Sequence, residues 1–285
     1  MIREPTVALC ALLKDEADYV EEWLAFHLLQ GVSRVVLYDN GSTDDTCARA
    51  RAFAKRLDLA IVPWPGTGSG YDLTQRHAYG DGARRLAGHV DFASFIDIDE
   101  FLYATDGGPL TRALAGFAPD VAAIAVNQRV FGSSGHDRAT EGLVTSRFTV
   151  AAGPGYQEAH WFKTVARPER IAGFDSAHSV VLRSGAYVLT DGRPLPPRPE
   201  HPGCSPEVAS GALALHHYIL KSREEFRRKQ ARWAGQDPSG RMNDDYFVGR
   251  DAAINANAVR DTRLAALAPR VSELVDAARR DAGAT

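Results

Sequence analysis

The chain has 285 residues, of which 45 % are hydrophobic and 24 % charged, and its formal net charge is −3. This composition is typical of a globular protein with a sizeable core in one large or two small domains, and the charge excludes a global basic field that would attract nucleic acid. The cysteines, Cys10, Cys47 and Cys204, are odd in number and far apart, which argues against a disulfide framework or zinc site and favours a reducing compartment.

The amino-terminal segment lacks the pattern of a signal peptide. About seven apolar residues precede Lys14, and neither a longer apolar stretch nor a convincing cleavage site follows. No window contains the roughly 18 uncharged apolar residues that a membrane-spanning helix needs. We therefore expect a cytoplasmic protein, for which any membrane contact would be peripheral.

Strands and helices are predicted to alternate in the first part of the chain. Short apolar runs are typical of buried strands, and apolar residues at helical spacing indicate helices between them. In chain order these are a strand at 6–13, a helix at 15–31, a strand at 34–40, a helix at 47–57 and a strand at 59–65. This β-α-β-α-β order is typical of a parallel, doubly wound sheet.

The remainder of the chain predicts a less regular continuation of the same α/β domain. Its composition between 133 and 210 is rich in Gly, Pro, His and Ser, which suits loops. The predicted elements are a helix at 73–88, strands at 91–103, 121–132 and 213–219, a helix at 222–235 with a Ser222–Glu225 capping box, and a helical tail from 261.

The stretch YDNGSTDDT, residues 38–46, places polar residues where a predicted strand ends and a helix begins. In open α/β sheets, ligands bind at the carboxyl ends of strands, near helix amino termini. An ionised Asp39 could accept hydrogen bonds from a ribose or a base. The alternative is an ordinary turn that caps the following helix.

The stretch SFIDIDEFLY, residues 94–103, contains three carboxylates within an apolar run. On a strand, Asp97 and Asp99 share one face and repel each other unless a cation joins them. Carboxylate oxygens suit Mg²⁺ or Mn²⁺, often completed by nucleotide phosphates. A solvated edge strand and a haloacid-dehalogenase-type phosphatase with Asp97 as the nucleophile are alternatives, and Glu100 is left without a role.

Four segments in order resemble the bacterial glycosyltransferases related to family 2 and to family 92 (DUF23-related). They are residues 12–46, FIDIDEFL at 95–102, FGSSGH at 131–136 and HHYILKSREEF at 216–226. The resemblance implies a GT-A fold, an α/β fold with a mainly parallel mixed sheet, here followed by a helical C-terminal extension. It also implies transfer of a sugar, with inversion, from a nucleoside-diphosphate sugar such as a UDP-sugar to an acceptor hydroxyl. Such transfer serves glycan or polysaccharide synthesis and uses Mn²⁺ or Mg²⁺.

The resemblance also assigns parts of the chain. It implies one domain over 1–285, with a nucleotide-sugar-binding half at 1–104, an acceptor-side half at 105–220 and a helical tail at 221–285. It implies a DxD motif at Asp97 and Asp99 as metal-site residues, with Asp97 at the ribose or the metal-bridged diphosphate and Asp99 on the metal itself. It also implies His178 or His217 as a third metal ligand. The donor-binding positions that it implies are Lys14, Asp39, Asn40, Ser42, Gln75, Arg76 and Asp97.

Inversion requires a general base on the acceptor side. The loop at 131–137 supplies His136 and Asp137, and a second loop supplies Glu158. Lysines and arginines, among them Lys163 and the basic helix around Lys229, could offset the charge of a diphosphate. Besides a sugar-transfer enzyme, the sequence is compatible with a DxD phosphatase or phosphotransferase, and with a non-catalytic nucleotide-sugar-binding module.

Overall fold

The computed structural model describes residues 3–65, 70–233 and 242–283. The strands are β1 Val7–Leu13, β2 Arg34–Asp39, β3 Asp58–Pro63, β4 Phe92–Phe95, β5 Glu100–Ala104, β6 Val121–Val130, β7 Val150–Ala152, β8 Phe162–Ala166, β9 Ile171–Phe174, β10 Val180–Leu182, β11 Ala186–Leu189, β12 Leu213–His217 and β13 Ala258–Arg260. The helices are α1 Val20–Leu29, α2 Thr46–Arg51, α3 Tyr71–Leu86, α4 Leu110–Ala115, α5 Val144–Arg147, α6 Arg223–Trp233, α7 Asp244–Asn255 and α8 Ala268–Gly283. Short 3₁₀ helices span Gln157–His160, Pro168–Arg170 and Ala265–Leu267.

A nine-stranded mixed sheet forms the centre, in the order β3-β2-β1-β4-β8-β6-β12-β5, with β11 paired to β6. Strands β1 to β4 pair in parallel, whereas β8 runs antiparallel to β4 and β6, and β5 runs antiparallel to β12. Two small antiparallel sheets, β9 with β10 and β7 with β13, flank it. The predicted fold class, an α/β domain with a mainly parallel mixed sheet and a helical C-terminal extension, is confirmed.

The central strand β1 explains why the core has two layers. All seven of its residues are buried, as is usual for a parallel strand covered on both faces. Leu9 and Ala11 pack in a cluster with Trp23 of α1, whereas Ala8 and Cys10 pack in another with Tyr79 of α3. The period-two alternation of side chains therefore places α1 and α3 on opposite faces of the sheet.

The acidic motif is not on a continuous strand, contrary to the prediction for 91–103. Strand β4 ends at Phe95, and β5 begins at Glu100, because β4 pairs with β1 while β5 pairs with the distant β12. A turn joins them, with the backbone N–H of Glu100 donating to the Asp97 carbonyl at 3.0 Å. Asp97 and Asp99 therefore lie on a turn at the carboxyl end of β4.

Within the part of the chain that the structure describes, no helix is long and apolar enough to cross a membrane. The division into halves at 1–104 and 105–220 with a tail at 221–285 stays a prediction. Pairing of β5 with β12 joins those two halves in one sheet.

Candidate functional site

A cavity of about 870 Å³ opens at the end of the sheet where β4 gives way to the acidic turn. Several elements converge on it, because the mixed sheet brings the ends of β4, β6, β8 and β12 together beside α3 and α6. The polar side chains on its wall that matter most here are Gln75, Asp97, Asp99, Glu100, Gln128, Lys163, His217 and Lys229.

The Asp97 carboxylate accepts hydrogen bonds from two elements. Gln75 of α3 donates from Nε2 to Oδ1 at 2.5 Å, and Lys163 of β8 donates from Nζ to Oδ2 at 3.0 Å. Burial opposes ionisation of Asp97, but the Lys163 ammonium outweighs it and lowers the pKa of the carboxyl. Asp97 is therefore an ionised group in a fixed orientation.

The Asp99 carboxylate faces the basic residues around α6. Lys229 Nζ lies 2.5 Å and Lys221 Nζ 3.6 Å from Oδ2. Burial again opposes ionisation, but Lys229 and then Lys221 hold the pKa of Asp99 well below its usual range. Buried carboxylates need such partners, because an unpaired charge out of water costs several kcal/mol.

His217, at the end of β12, is the predicted metal ligand that the structure places beside Asp99. Its Nε2 lies 3.6 Å from Asp99 Oδ1, and its Nδ1 lies 2.7 Å from Gln128 Oε1. Burial lowers the pKa of His217 to about 4, so the ring is neutral at neutral pH. An amide oxygen can only accept, so Nδ1 carries the proton and the Nε2 lone pair faces Asp99.

The Glu100 side chain bonds back to the backbone of the acidic turn. Its Oε2 accepts a hydrogen bond from the Asp97 backbone N–H at 2.8 Å and lies 3.2 Å from Lys163 Nζ. The side chain is fully buried, and Oε1 has no hydrogen-bond partner among the described residues. Burial raises the pKa of Glu100 to about 8. The Lys163 charge opposes this rise, and the Asp97 charge adds to it. Glu100 thus fixes the position of Asp97.

The side chains at this site could hold a divalent metal ion only if a bound ligand supplied further donor atoms. Among the described ranges no group of three or more His, Cys, Asp and Glu side chains could hold an ion. Asp99 Oδ1 and His217 Nε2 nevertheless offer two donors on the cavity wall. Mg²⁺ typically takes one or two carboxylates plus substrate phosphates, so the pair suits a cation that the phosphates of a nucleotide complete.

His178, the other predicted metal ligand, also lines the cavity but is held differently. Its Nδ1 lies 3.0 Å from the Phe162 carbonyl, which accepts, and its ring packs against Trp161 at 5.1 Å. Burial lowers the pKa of His178 to about 3. Its contacts give it a place in the wall rather than beside Asp99.

The turn after β2 has the predicted polar residues, but they bond within the protein. Asp39 Oδ1 accepts from the Ser42 N–H at 3.0 Å, and Asn40 Nδ2 donates to the Trp64 carbonyl at 2.8 Å. Ser42 Oγ accepts from the backbone of the turn after β1 at 3.0 Å. Asp39, Asn40, Ser42 and Lys14 lie outside the cavity lining, whereas Gln75 and Arg76 belong to it. Donor binding by each of them stays a prediction.

The structure separates the three predicted general bases. His136 and Asp137 lie where α6 begins, with their carbonyls accepting from the N–H groups of Arg223 and Glu224. The Asp137 side chain is 88 % exposed, and neither residue lines the cavity. Glu158 does line it, paired with Arg250 of α7.

Sequence reasoning missed several wall residues. Gln128 sits within a run that reads only as a buried strand, and α7, with Arg250, was not predicted as a helix. Lys163 and Lys229 were noted as cations, but no sequence signal pairs each with one carboxylate of the motif. Their places depend on pairing between distant strands and on the docking of α6.

Carboxylates and lysines line a cavity at the end of the sheet where the parallel strand β4 ends, which is the place where open α/β sheets bind their ligands. The chain belongs to glycosyltransferase family 92, since the sequence model of the family described as Glycosyltransferase family 92 matches residues 4–188. The resemblance to family 92 is therefore confirmed.

Two relatives from plants support this membership. A glycosyltransferase family 92 protein of Ricinus communis is 25 % identical over 230 residues, covering 78 % of this chain and 37 % of the relative. One of Oryza sativa subsp. japonica is 24 % identical over 230 residues, covering 79 % and 35 %. The chain thus spans about a third of the length of these relatives. Because both are plant proteins, they give no support to the bacterial grouping within the resemblance.

Solved structures show only distant likeness. S. aureus TarS residues 1–349 match with 10 % identity and a TM-score of 0.43, covering 87 % of this chain and 72 % of that one. M. tuberculosis glucosyl-3-phosphoglycerate synthase, in complex with Mn²⁺, UDP-glucose and glycerol 3-phosphate, matches with 19 % identity and a TM-score of 0.31, covering 59 % and 58 %. Both scores lie below 0.5, and no ligand of either protein is assigned to this chain.

Proposed function

We propose that the chain is a glycosyltransferase that moves a sugar from a nucleoside-diphosphate sugar, a UDP-sugar, to an acceptor hydroxyl with inversion, in glycan or polysaccharide synthesis. The observation that carries the proposal is the pairing of Asp97 with Lys163 and of Asp99 with Lys229 on one cavity wall, in a chain of family 92. Such a wall offers both cations for phosphates and oxygen ligands for a metal.

The lysines suit the departure of a diphosphate. In the reaction the bond between the anomeric carbon and the diphosphate oxygen breaks, and negative charge grows on the leaving group. Lys163 and Lys229, already fixed by their carboxylates, would face that charge without reorganisation. Mn²⁺ or Mg²⁺ held by Asp99 and His217 would add Lewis-acid neutralisation of the diphosphate when bound.

Glu158 is the general base that the cavity favours. Its carboxylate would take the proton of the acceptor hydroxyl as that oxygen attacks the anomeric carbon from the face opposite the diphosphate. The support is its place on the cavity wall, with its backbone carbonyl accepting from Gln128 Nε2 at 2.8 Å. A chain of contacts thus links it through Gln128 to His217 and Asp99.

Calorimetric titration with UDP, with and without Mn²⁺, tests the donor assignment. We expect the wild type to bind UDP and Asp99→Asn to bind it at least about tenfold more weakly with Mn²⁺ present, a loss of about 1.4 kcal/mol. Asp106→Asn is the matched control, since Asp106 is an exposed acid that pairs with Arg112 and accepts from the Gly108 N–H. If the wild type fails to bind UDP, or if Asp99→Asn binds equally well, the proposal is wrong.

A turnover assay separates the proposal from the two alternatives. A sugar-transfer enzyme releases UDP from a UDP-sugar when acceptor is present. A phosphatase would instead cleave a generic phosphoester such as p-nitrophenyl phosphate and lose that activity on Asp97→Asn. A binding module would bind UDP and release none with any acceptor.

A further inference from the structure

A second cavity of about 560 Å³ lies beside the first, between residues 153–158 and α7. The two cavities share three wall residues, Glu158, Tyr246 and Arg250. The acidic motif lines only the first cavity. A molecule in the second cavity would therefore meet a molecule in the first at Glu158.

Arg250 organises the boundary between the cavities. Its guanidinium pairs with the Glu158 carboxylate, donates to the Tyr246 hydroxyl and hydrogen-bonds to Tyr156. It also lies 5.1 Å from the centre of the Tyr246 ring. The side chain is only 9 % exposed, so one buried cation fixes two aromatic rings and one carboxylate in place.

The chemistry of the second cavity suits a neutral sugar. Tyr156 and Tyr246 offer flat apolar faces with polar tips, which match the C–H faces and hydroxyls of a pyranose. Asn257 and Gln157 add amide donors and acceptors on the same wall. An anionic ligand is disfavoured, since Asp245 and Glu158 carry negative charge there and the charge of Arg250 is already paired.

We propose that this second cavity is the acceptor subsite, which binds a neutral saccharide and presents one hydroxyl to Glu158. The inference rests on the proposed function for the identity of the donor in the first cavity. It adds the location and the chemical class of the acceptor. It also gives Arg250 a role as a positioning residue, which holds Glu158 between acceptor and donor.

A larger side chain at Gly249 would fill the acceptor subsite without replacing a catalytic carboxylate or a residue of the donor cavity. It lies on α7, lines the second cavity and not the first, and a Cβ built there meets nothing within 4 Å. Leu is a better helix former than Gly, so Gly249→Leu is expected to fold while filling the cavity. Gly249→Ala is the matched control, with the same backbone effect and little added volume.

Saturation-transfer NMR with the methyl glycosides of glucose, galactose and mannose tests the inference. We expect at least one of them to give a signal with wild type and Gly249→Ala, and the signal to fall at least tenfold with Gly249→Leu. Titration with UDP should give the same affinity for all three proteins. Methyl glucuronide, the anionic probe, should bind more weakly than its neutral counterpart.

Two results would overturn the inference: no signal for any neutral glycoside with wild type, or an unchanged signal with Gly249→Leu. Stronger binding of the glucuronide would refute the neutral class. Failure of the donor assignment looks different. If UDP does not bind while Gly249→Leu still abolishes the glycoside signal, the saccharide site stands and the donor assignment falls.

Discussion

Glu100 has a structural task that its neighbours in the motif do not share. Its buried carboxyl accepts from the Asp97 backbone and touches Lys163, which sets the shape of the acidic turn. Removing the acceptor would leave the partly buried Asp97 N–H without this partner, at a cost of up to about 1–3 kcal/mol. The third carboxylate of the stretch is thus explained by local geometry rather than by ligand binding.

The raised pKa of Glu100 makes stability depend on pH. The unfolded carboxyl titrates near 4.5 and the folded one near 8, so between these values the folded state holds a proton that the unfolded state has lost. Stability from this group is therefore complete below about 4.5 and falls as pH rises to about 8, by at most about 1.4 kcal/mol per pH unit. Glu100→Gln, which cannot ionise, should become more stable relative to wild type as the pH rises through that window.

Urea unfolding of wild type and Glu100→Gln at pH 5 and pH 8 measures the effect. The free energy of unfolding of the variant, relative to wild type, should be higher at pH 8 than at pH 5. A constant difference between the two proteins would show that Glu100 does not titrate in this window.

We predict that replacing Glu158 lowers the rate of sugar transfer and leaves donor binding unchanged. Glu158→Gln keeps the size of the side chain but cannot accept a proton, so kcat should fall by about 10²–10⁴-fold. Affinity for UDP should stay within about twofold of wild type. His136→Ala and Asp137→Asn serve as matched comparisons, because both residues lie outside the cavity.

The kinetic result assigns the base among the three sequence candidates. A loss confined to Glu158→Gln supports the structural choice. A comparable loss in His136→Ala or Asp137→Asn, with Glu158→Gln close to wild type, would instead place the base in the loop at 131–137.

At the scale of elements, α6 presents Lys229 to the acidic motif. Its start is fixed by the predicted capping box, with the Glu225 N–H donating to Ser222 Oγ at 3.2 Å and Glu225 Oε2 accepting from the Ser222 N–H. Arg147 adds a two-pronged ion pair to Glu225. Burial opposes the charge on Glu225, but the Arg147 hydrogen bond outweighs it and lowers its pKa to about 2.

Ser222→Ala should therefore weaken both fold and site. Loss of an N-cap hydroxyl typically costs about 1 kcal/mol, and a loosened α6 would hold Lys229 less firmly at Asp99. We expect lower stability in urea unfolding together with a UDP affinity reduced by a few fold. Ser222→Thr, which keeps the hydroxyl, should recover most of both. Equal losses in both variants would mean that the hydroxyl is not what matters.

The sequence predicts best those elements whose structure follows from their own residues and from neighbours close in the chain. The first β-α-β-α-β segment follows from apolar periodicity, and its three strands pair with one another in parallel, so partners close in sequence complete them. The break between β4 and β5 could not be foreseen, because β5 exists only through its pairing with β12, more than a hundred residues away. The alternating pattern of SFIDIDEFLY is the same whether or not the strand is interrupted.

The sequence predicts which residues belong to the candidate site better than it predicts how they are arranged in space. Asp97, Asp99, His217 and Gln75 were found from motif and order, and the structure brings all four to one wall. The turn after β2 was expected on the same wall, yet the side chains of Asp39 and Ser42 accept hydrogen bonds from nearby backbone N–H groups, and neither residue lines the cavity. Whether a polar residue at a strand end faces a ligand or its own loop depends on hydrogen bonds that sequence does not specify.

At the scale of the whole molecule, the cavity wall joins segments from most of the chain. Gln75, Asp99, Lys163, His217 and Lys229 come from five separate elements or turns. A ligand that contacts several of them binds the folded chain and has no matching site when it is unfolded. Such a ligand stabilises the fold by mass action, by about 2.7 kcal/mol when its concentration is a hundred times its dissociation constant.

This linkage predicts the size of a thermal shift. For a chain of 285 residues, an unfolding entropy of about 2.1 cal/mol/K per residue means that each kcal/mol moves the unfolding temperature by about 1.7 °C. UDP with Mn²⁺ at a hundred times its dissociation constant should therefore raise the unfolding temperature by about 5 °C. Differential scanning calorimetry of wild type, Asp99→Asn and the control Asp106→Asn measures the shift. Asp99→Asn should lose about half of it or more, because it loses an oxygen ligand and the partner of Lys229, and a tenfold weaker affinity leaves about 1.4 of the 2.7 kcal/mol. Asp106→Asn should keep the full shift. An equal shift in all three proteins would mean that UDP binds elsewhere on the molecule.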